Sequence, residues 1–136
     1  MKPRTSRLAT RALILHQDRL LLVNAYPGGR SDLWAAPGGG VHSGTSLPEN
    51  LAREVYEETG WKIDITRRLG AFRRFTYMPE YDLWAEKLCT IYLARPVLRL
   101  GPPTEAGHEA VWMSAAEALV QLTNSGDRAM LARALT

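Results

Sequence analysis

Three carboxylates crowd into five residues, Glu54, Glu57 and Glu58, directly after Arg53 in the run Arg53-Glu54-Val55-Tyr56-Glu57-Glu58-Thr59-Gly60. On a helix the i, i+3 and i+4 spacing puts all three acids on one face. They fall in its last turns, where the negative end of the helix dipole disfavours acids. Each like-charge pair at this spacing costs ~0.2–0.5 kcal/mol in an isolated helix. Arg53 offsets part of this against Glu57, though in the weaker order, with the base before the acid. An exposed acidic face without function has the same composition. The chemical alternative is a hard divalent cation, since Mg²⁺ takes carboxylate oxygens, keeps several waters and bridges to phosphates. Just upstream stands Pro37-Gly38-Gly39-Gly40. Glycine backbone lets a ligand approach the N–H groups closely, and successive N–H groups form anion-binding nests. Phosphate-friendly backbone beside a cation-binding face points to chemistry on phosphates.

The elements that would position these groups can be read from local patterns. Residues 46–59 form the clearest helix: Ser46 with Glu49 makes a capping box, and Pro48 fits the first turn. Leu47, Leu51 and Val55 give the buried stripe, and Gly60 supplies the stop. Arg7–His16 and Arg19–Ala25, separated by Gln17-Asp18, read as a β-hairpin. Tyr26–Asp32 reads as a loop, and Leu33–Ala36 as a short strand stopped by the glycines. Trp61–Tyr77 is β-leaning and interrupted at Gly70, giving two strands or one bent strand. Ala85–Ala94 is a strand ended by Arg95-Pro96. Ala110–Met113 is a short strand leading into a helix at Ser114–Gln121, capped by Ser114 with Glu117; Asp127–Leu135 is a terminal helix. This order fits an α/β fold, a mixed sheet with helices on its faces, better than a barrel without helices.

With these residues in place the chain resembles the Nudix hydrolase family, whose signature is G-x5-E-x7-R-E-U-x-E-E-x-G-U, U being bulky and apolar. Gly39, Arg53, Glu54, Val55, Glu57, Glu58, Gly60 and Trp61 match, while Thr45 stands where the signature has Glu. The resemblance implies a Nudix-type α/β/α sandwich around a mixed sheet. It implies hydrolysis of a pyrophosphate bond in a nucleoside diphosphate linked to another group X, with Mg²⁺, or Mn²⁺ in its place. Glu54 and Glu58 would be the leading metal ligands, with Glu57 sharing metal or water. Arg53 would hold the carboxylates, and Gly38, Gly39 and Gly40 would shape the substrate loop. Thr45 cannot supply the missing charge, which bears on further metals more than on the reaction. Relatives often recruit another acid from a loop before a late strand. Here Glu105 is the first candidate for general base or extra ligand, with Glu109 and His108 behind it; a solvated acidic loop is the bland alternative. Tyr26, Phe72, Phe75, Tyr77 and Tyr81 are available to stack a nucleobase. Tyr77 and Pro79 lie near residues typical of relatives acting on dinucleoside polyphosphates and on ADP-ribose respectively, so they pull in different directions. His16 and His42 have no partner pattern. Cys89 reads as a buried small hydrophobe.

Composition sets the outer bounds. The 136 residues suit one domain, and 46% hydrophobic with 23% charged residues excludes disordered, collagen-like and coiled-coil classes. One cysteine excludes an internal disulfide and a multi-cysteine zinc site, and fits a reducing cytoplasm. The longest wholly apolar runs, Ala12–Leu15 and Leu20–Val23, fall far short of the ~20 residues of a spanning helix, and nothing reads as a signal peptide. The net charge of +3 is concentrated in the first half and could steer a phosphorylated ligand. No stripe or motif for nucleic acid is present, and the small nucleotide-type substrate is the partner that the resemblance implies. Both a monomer and a homodimer remain open. Two further readings stay beside the enzyme: a catalytically weak nucleotide-binding module, favoured by Thr45, and an RNA-end-processing enzyme, favoured only by the basic first half.

Overall fold

The computed structural model describes residues 4–24, 33–41, 44–78 and 82–136. Six strands and three helices follow in the order β1 (Arg4–His16), β2 (Arg19–Asn24), β3 (Gly38–Gly40), α1 (Leu47–Thr59), β4 (Trp61–Met78), β5 (Leu83–Arg99), β6 (Glu109–Ser114), α2 (Ala115–Gln121) and α3 (Ser125–Ala134). The sheet runs β4-β5-β1-β2-β6, with β3 paired to β1 off this path. Only β1 and β5 are parallel; the other pairs are antiparallel, so the sheet is mixed.

Alternation along the central strands creates two cores. Ala12 and Ile14 of β1, Leu21 of β2 and Tyr92 and Ala94 of β5 pack with Leu51 and Val55 of α1. The intervening residues Leu13, Leu20, Leu22 and Ile91 face the other way, onto Ala118 of α2, Leu122 at its C-cap and Leu131 of α3. A period of two on strands buried on both faces yields helix–sheet–helix layers. Helix α1 begins where the Ser46 side chain accepts the Glu49 N–H at 3.2 Å. It ends at Gly60, whose left-handed backbone (φ 78°) donates its N–H to Tyr56 O at 2.8 Å.

The fork between β1 and β2 is what creates a place for the site. The two strands pair only near their turn, at Leu15–Leu20 and His16–Arg19. Farther out the segment from Ala35 to Gly40 is wedged between them. Ala35 exchanges backbone bonds with Val23, Pro37 O accepts from Ala12, and β3 pairs with Ala9–Arg11.

Several sequence expectations change here. The glycines that were read as a stop form β3, because β1 offers them an open edge at the fork. Leu33–Ala36 is no strand of its own and makes only the single bridges Val23–Ala35 and Trp34–Leu122. Trp61–Met78 is one strand with irregularities at three points, the last between Arg68 and Gly70. Strand β5 runs through Pro96 to Arg99. Pairing with β1 stops at Ala94, so beyond it β5 has one neighbour, and Pro96 sits at a register shift. There the missing N–H costs little. Helix α3 starts at Ser125, capped by Asn124, which places Asp127 inside its first turn. The Tyr26–Asp32 loop lies outside the described residues. No described helix is long and apolar enough to cross a membrane.

Leu51, fully buried between α1 and the sheet, tests this packing. Leu51→Ala should lower unfolding stability by about 2–5 kcal/mol, from lost transfer energy and the cavity left behind. Denaturant titration measures it; a change below about 1 kcal/mol would mean that α1 does not seat as described.

Candidate active site

Helix α1 lays its acidic face over the glycine strand. Gly38 N–H donates to Glu58 Oε1 at 3.0 Å. A Cβ at Gly39 would stand 2.9 Å from the Glu54 carboxylate, and one at Gly38 would stand 2.0 Å from Thr10 O. A side chain at Gly38 would collide with the β1 backbone, so that glycine is required by close approach, whereas one at Gly39 would push aside the Glu54 carboxylate.

Arg53 holds the cluster from its outer side. Its guanidinium donates to Glu57 Oε1, to Glu54 Oε1 and to Asn50 Oδ1, each at 3.0 Å. The bond to Glu57 is the largest cause of a raised Arg53 pKa. Asn50, fully buried, donates in turn to Gly40 O at 3.0 Å. The fork of Arg53 is thereby tied to the third glycine, and a planar five-donor group suits that task.

The loop before β6 closes the far side. Thr104 and Glu105 donate their N–H groups to Glu57 O at 2.9 and 3.0 Å, satisfying a carbonyl at the end of α1. This docking brings Glu105 and His108 to the helix. Glu54, Glu57 and Glu105 each offer an oxygen within 4.8 Å of the others, and so do Glu58, Glu105 and His108 with one atom each. Glu58 is buried, and burial pushes its carboxyl up to about 8; the Gly38 N–H opposes the shift, and the Glu54 and Glu105 charges add to it. Its second oxygen lies 3.8 Å from His108 Nε2. Convergent hard oxygens, with the buried Glu58 among them, fit a divalent cation such as Mg²⁺ or Mn²⁺.

Other sequence candidates lie elsewhere. Tyr77 packs on Trp84 with ring centroids 5.3 Å apart and donates its hydroxyl to Asp82. Trp84 pairs with Arg4, whereas Gly38 pairs with Arg11, seven positions farther along β1. Tyr77 therefore stands apart from the acidic group. Phe72 packs into the α3-side core, Phe75 is exposed, and Cys89 is buried. Thr45 is exposed just before α1. Tyr26, His42, Pro79 and Tyr81 lie outside the described residues.

Sequence reasoning missed the other side of the fork. A cavity of about 400 Å³ opens there, lined by Arg11, Val23, Trp34, Arg74, Thr123 and Asn124 among others. Arg11 donates to the fully buried Asp127 at 2.7 Å, and Ala36 N–H donates to the same oxygen at 3.3 Å. Burial raises the Asp127 pKa despite Arg11. The available signal was Arg11 itself, one charge inside the apolar run of β1.

The NUDIX domain family model matches residues 5–134. The 8-oxo-(d)GTP phosphatase of Mycolicibacterium smegmatis is 32% identical over 105 residues, covering 76% of this chain and 30% of that protein. The oxidized purine nucleoside triphosphate hydrolase of Mus musculus is 35% identical over 66 residues, or 48% of this chain and 42% of that one. The chain thus matches less than half the length of these relatives. Among solved structures, a NUDIX hydrolase from Nitrosomonas europaea superposes with a TM-score of 0.78 at 20% identity, over 95% of this chain and 88% of that one. The match spans all six strands, the acidic helix and the glycine strand beneath it: the chain belongs to the NUDIX domain family.

Proposed function

We propose that this chain hydrolyses a pyrophosphate bond in a nucleoside diphosphate carrying a further group X, using a divalent cation, Mg²⁺ or Mn²⁺, at Glu54, Glu57 and Glu58. The observation that carries this reading is the convergence of these carboxylates with Glu105 on the glycine strand. When bound, the cation supplies charge neutralisation at the pyrophosphate and a water of lowered pKa. Arg53 keeps Glu54 and Glu57 at fixed positions through its fork. Gly38 and Gly39 let the acidic helix seat against the strand, and Gly40, with open space beside it, leaves room for phosphate oxygens. Glu105 serves as a further ligand to the cation or takes the proton of the attacking water. The cavity across the fork, with the Trp34 ring and the Arg11 and Arg74 guanidiniums, accommodates the nucleoside. The two relatives' names make oxidised purine nucleoside triphosphates the first compounds to test, followed by sugar nucleotides, ADP-ribose and dinucleoside polyphosphates.

A screen of these compounds with Mg²⁺ or Mn²⁺, detecting released phosphates, tests the reading directly. Turnover should stop on chelation and return on adding back the cation; turnover that survives exhaustive chelation would refute the metal role.

Glu58 supplies a prediction with a defined pH sign. Its folded-state pKa of about 8 lies above the ordinary 4.5, so the metal-free fold loses stability as pH rises through that interval. Glu58→Gln cannot ionise. It should match wild type near pH 4, exceed it by about 1–3 kcal/mol near pH 8, and lose hydrolysis. Melts and rates on the same metal-free preparations check both halves. Lower stability at pH 8 would make Glu58 a structural group.

Thr45 favours the second reading, a nucleotide-binding module with weak catalysis. Thr45→Glu adds an acid near the start of α1, where the dipole favours it. Calorimetric titration should show Mg²⁺ binding tightened by about tenfold, the scale on which groups around a metal tune its affinity. Unchanged affinity and rate would separate residue 45 from the metal site. A wild type that binds nucleotides without turning any over, beside an active Thr45→Glu, would establish the module reading.

A further inference from the structure

Glu58, Glu105 and His108 each bring one possible ligand atom within 4.8 Å of the others at the docked loop. Glu58 Oε2 belongs to a side chain that is only 9% exposed. Opposite it, 3.8 Å away, is Nε2 of His108, whose side chain is 11% exposed. That separation is too long for a hydrogen bond. The other ring nitrogen settles the tautomer: His108 Nδ1 lies 3.3 Å from Ala106 O, and a carbonyl can only accept, so Nδ1 carries the hydrogen. In the neutral ring Nε2 then presents its lone pair towards Glu58 and Glu105. A histidine that donates one N–H to a carbonyl while the other nitrogen faces a cluster of acids has the arrangement of a metal-ligating imidazole. The 3.8 Å gap is also shorter than twice a metal–ligand bond of about 2.1 Å, so one ion can touch both atoms. The loop is preset for this. Its Thr104 and Glu105 N–H groups are anchored on Glu57 O, and His108 N–H donates to Glu105 O at 3.4 Å.

We propose that His108 is a nitrogen ligand to the cation, alongside Glu58 and Glu105, and that it makes this chain prefer Mn²⁺ to Mg²⁺. The inference rests on the reading above that Glu58 binds the cation, and extends the ligand set beyond the acidic helix. Mg²⁺ is served by oxygen donors, whereas transition metals gain from imidazole. Removing the imidazole therefore lowers Mn²⁺ affinity and leaves Mg²⁺ affinity nearly unchanged. A histidine that merely propped Glu58 in place would affect both ions alike.

The test uses the full chain without nucleotide. Mn²⁺ and Mg²⁺ are titrated into wild type, His108→Ala and His108→Gln by calorimetry, and pulsed electron paramagnetic resonance examines each Mn²⁺ complex for coupling to an imidazole nitrogen. Wild type should show that coupling and both variants should lack it, with Mn²⁺ affinity falling about tenfold and Mg²⁺ affinity changing less than about twofold. Absence of nitrogen coupling in wild type, absence of Mn²⁺ binding, or an equal loss for both ions would overturn the proposal. The wild-type spectrum decides even if a variant fails to fold. Turnover enters none of these measurements, so nitrogen coupling in a protein that hydrolyses nothing would refute the proposed activity and leave this inference standing.

Discussion

The contact on which the site depends is between two surfaces that normally repel other structure: a helix face carrying three acids and a strand without side chains. Glu58 reaches the Gly38 N–H, and the Glu54 carboxylate occupies the place where a side chain on Gly39 would stand. Neither half would be favourable alone. Acids at a helix C-terminus repel one another and the dipole, and glycine in a strand contributes no side-chain packing. Seated together, backbone donors meet carboxylate acceptors, and the opposite face of α1 contributes the apolar burial of Leu51 and Val55. The core holds in place a surface that would not hold itself.

That arrangement explains the electrostatics. Burial moves the Glu58 carboxyl into the neutral range, and its neighbours Glu54 and Glu105 push in the same direction. The acids on the outer side are held differently, by a guanidinium that spans Glu54 and Glu57 while resting on Asn50. Glu54 and Glu58 are thus largely shielded from water, and Glu57 is clamped at the water's edge.

The fork in the sheet links the acidic group to the cavity. Because β1 and β2 pair only near their turn, the segment from Ala35 to Gly40 enters between them and presents two sides. On the α1 side it meets the carboxylates. On the α3 side the partly buried Arg11 pairs with the buried Asp127, which also accepts the Ala36 N–H. Such a pair is poor evidence of added stability, since the Asp127 charge is removed from water. Its evident structural effect is to tie the first turn of α3 to the wedge and to β1.

Helix α1 was legible almost to the residue, since Ser46, Glu49, the Leu47–Leu51–Val55 stripe and Gly60 act within a turn or two of one another. The β1–β2 hairpin and the shared face of Glu54, Glu57 and Glu58 were legible for the same reason. What could not be read locally was decided by partners distant in sequence. Gly38–Gly40 became a strand because β1 left an edge open, and β5 passed through Pro96 because its neighbour had already ended. Glu105 and His108 reached Glu58 because their loop hydrogen-bonds to the last turn of α1, about fifty residues earlier in the chain. Periodicity and capping are written in neighbouring residues and survive as sequence. Which backbone groups find one another across the sheet depends on how all the elements pack, and only the tertiary structure decides that.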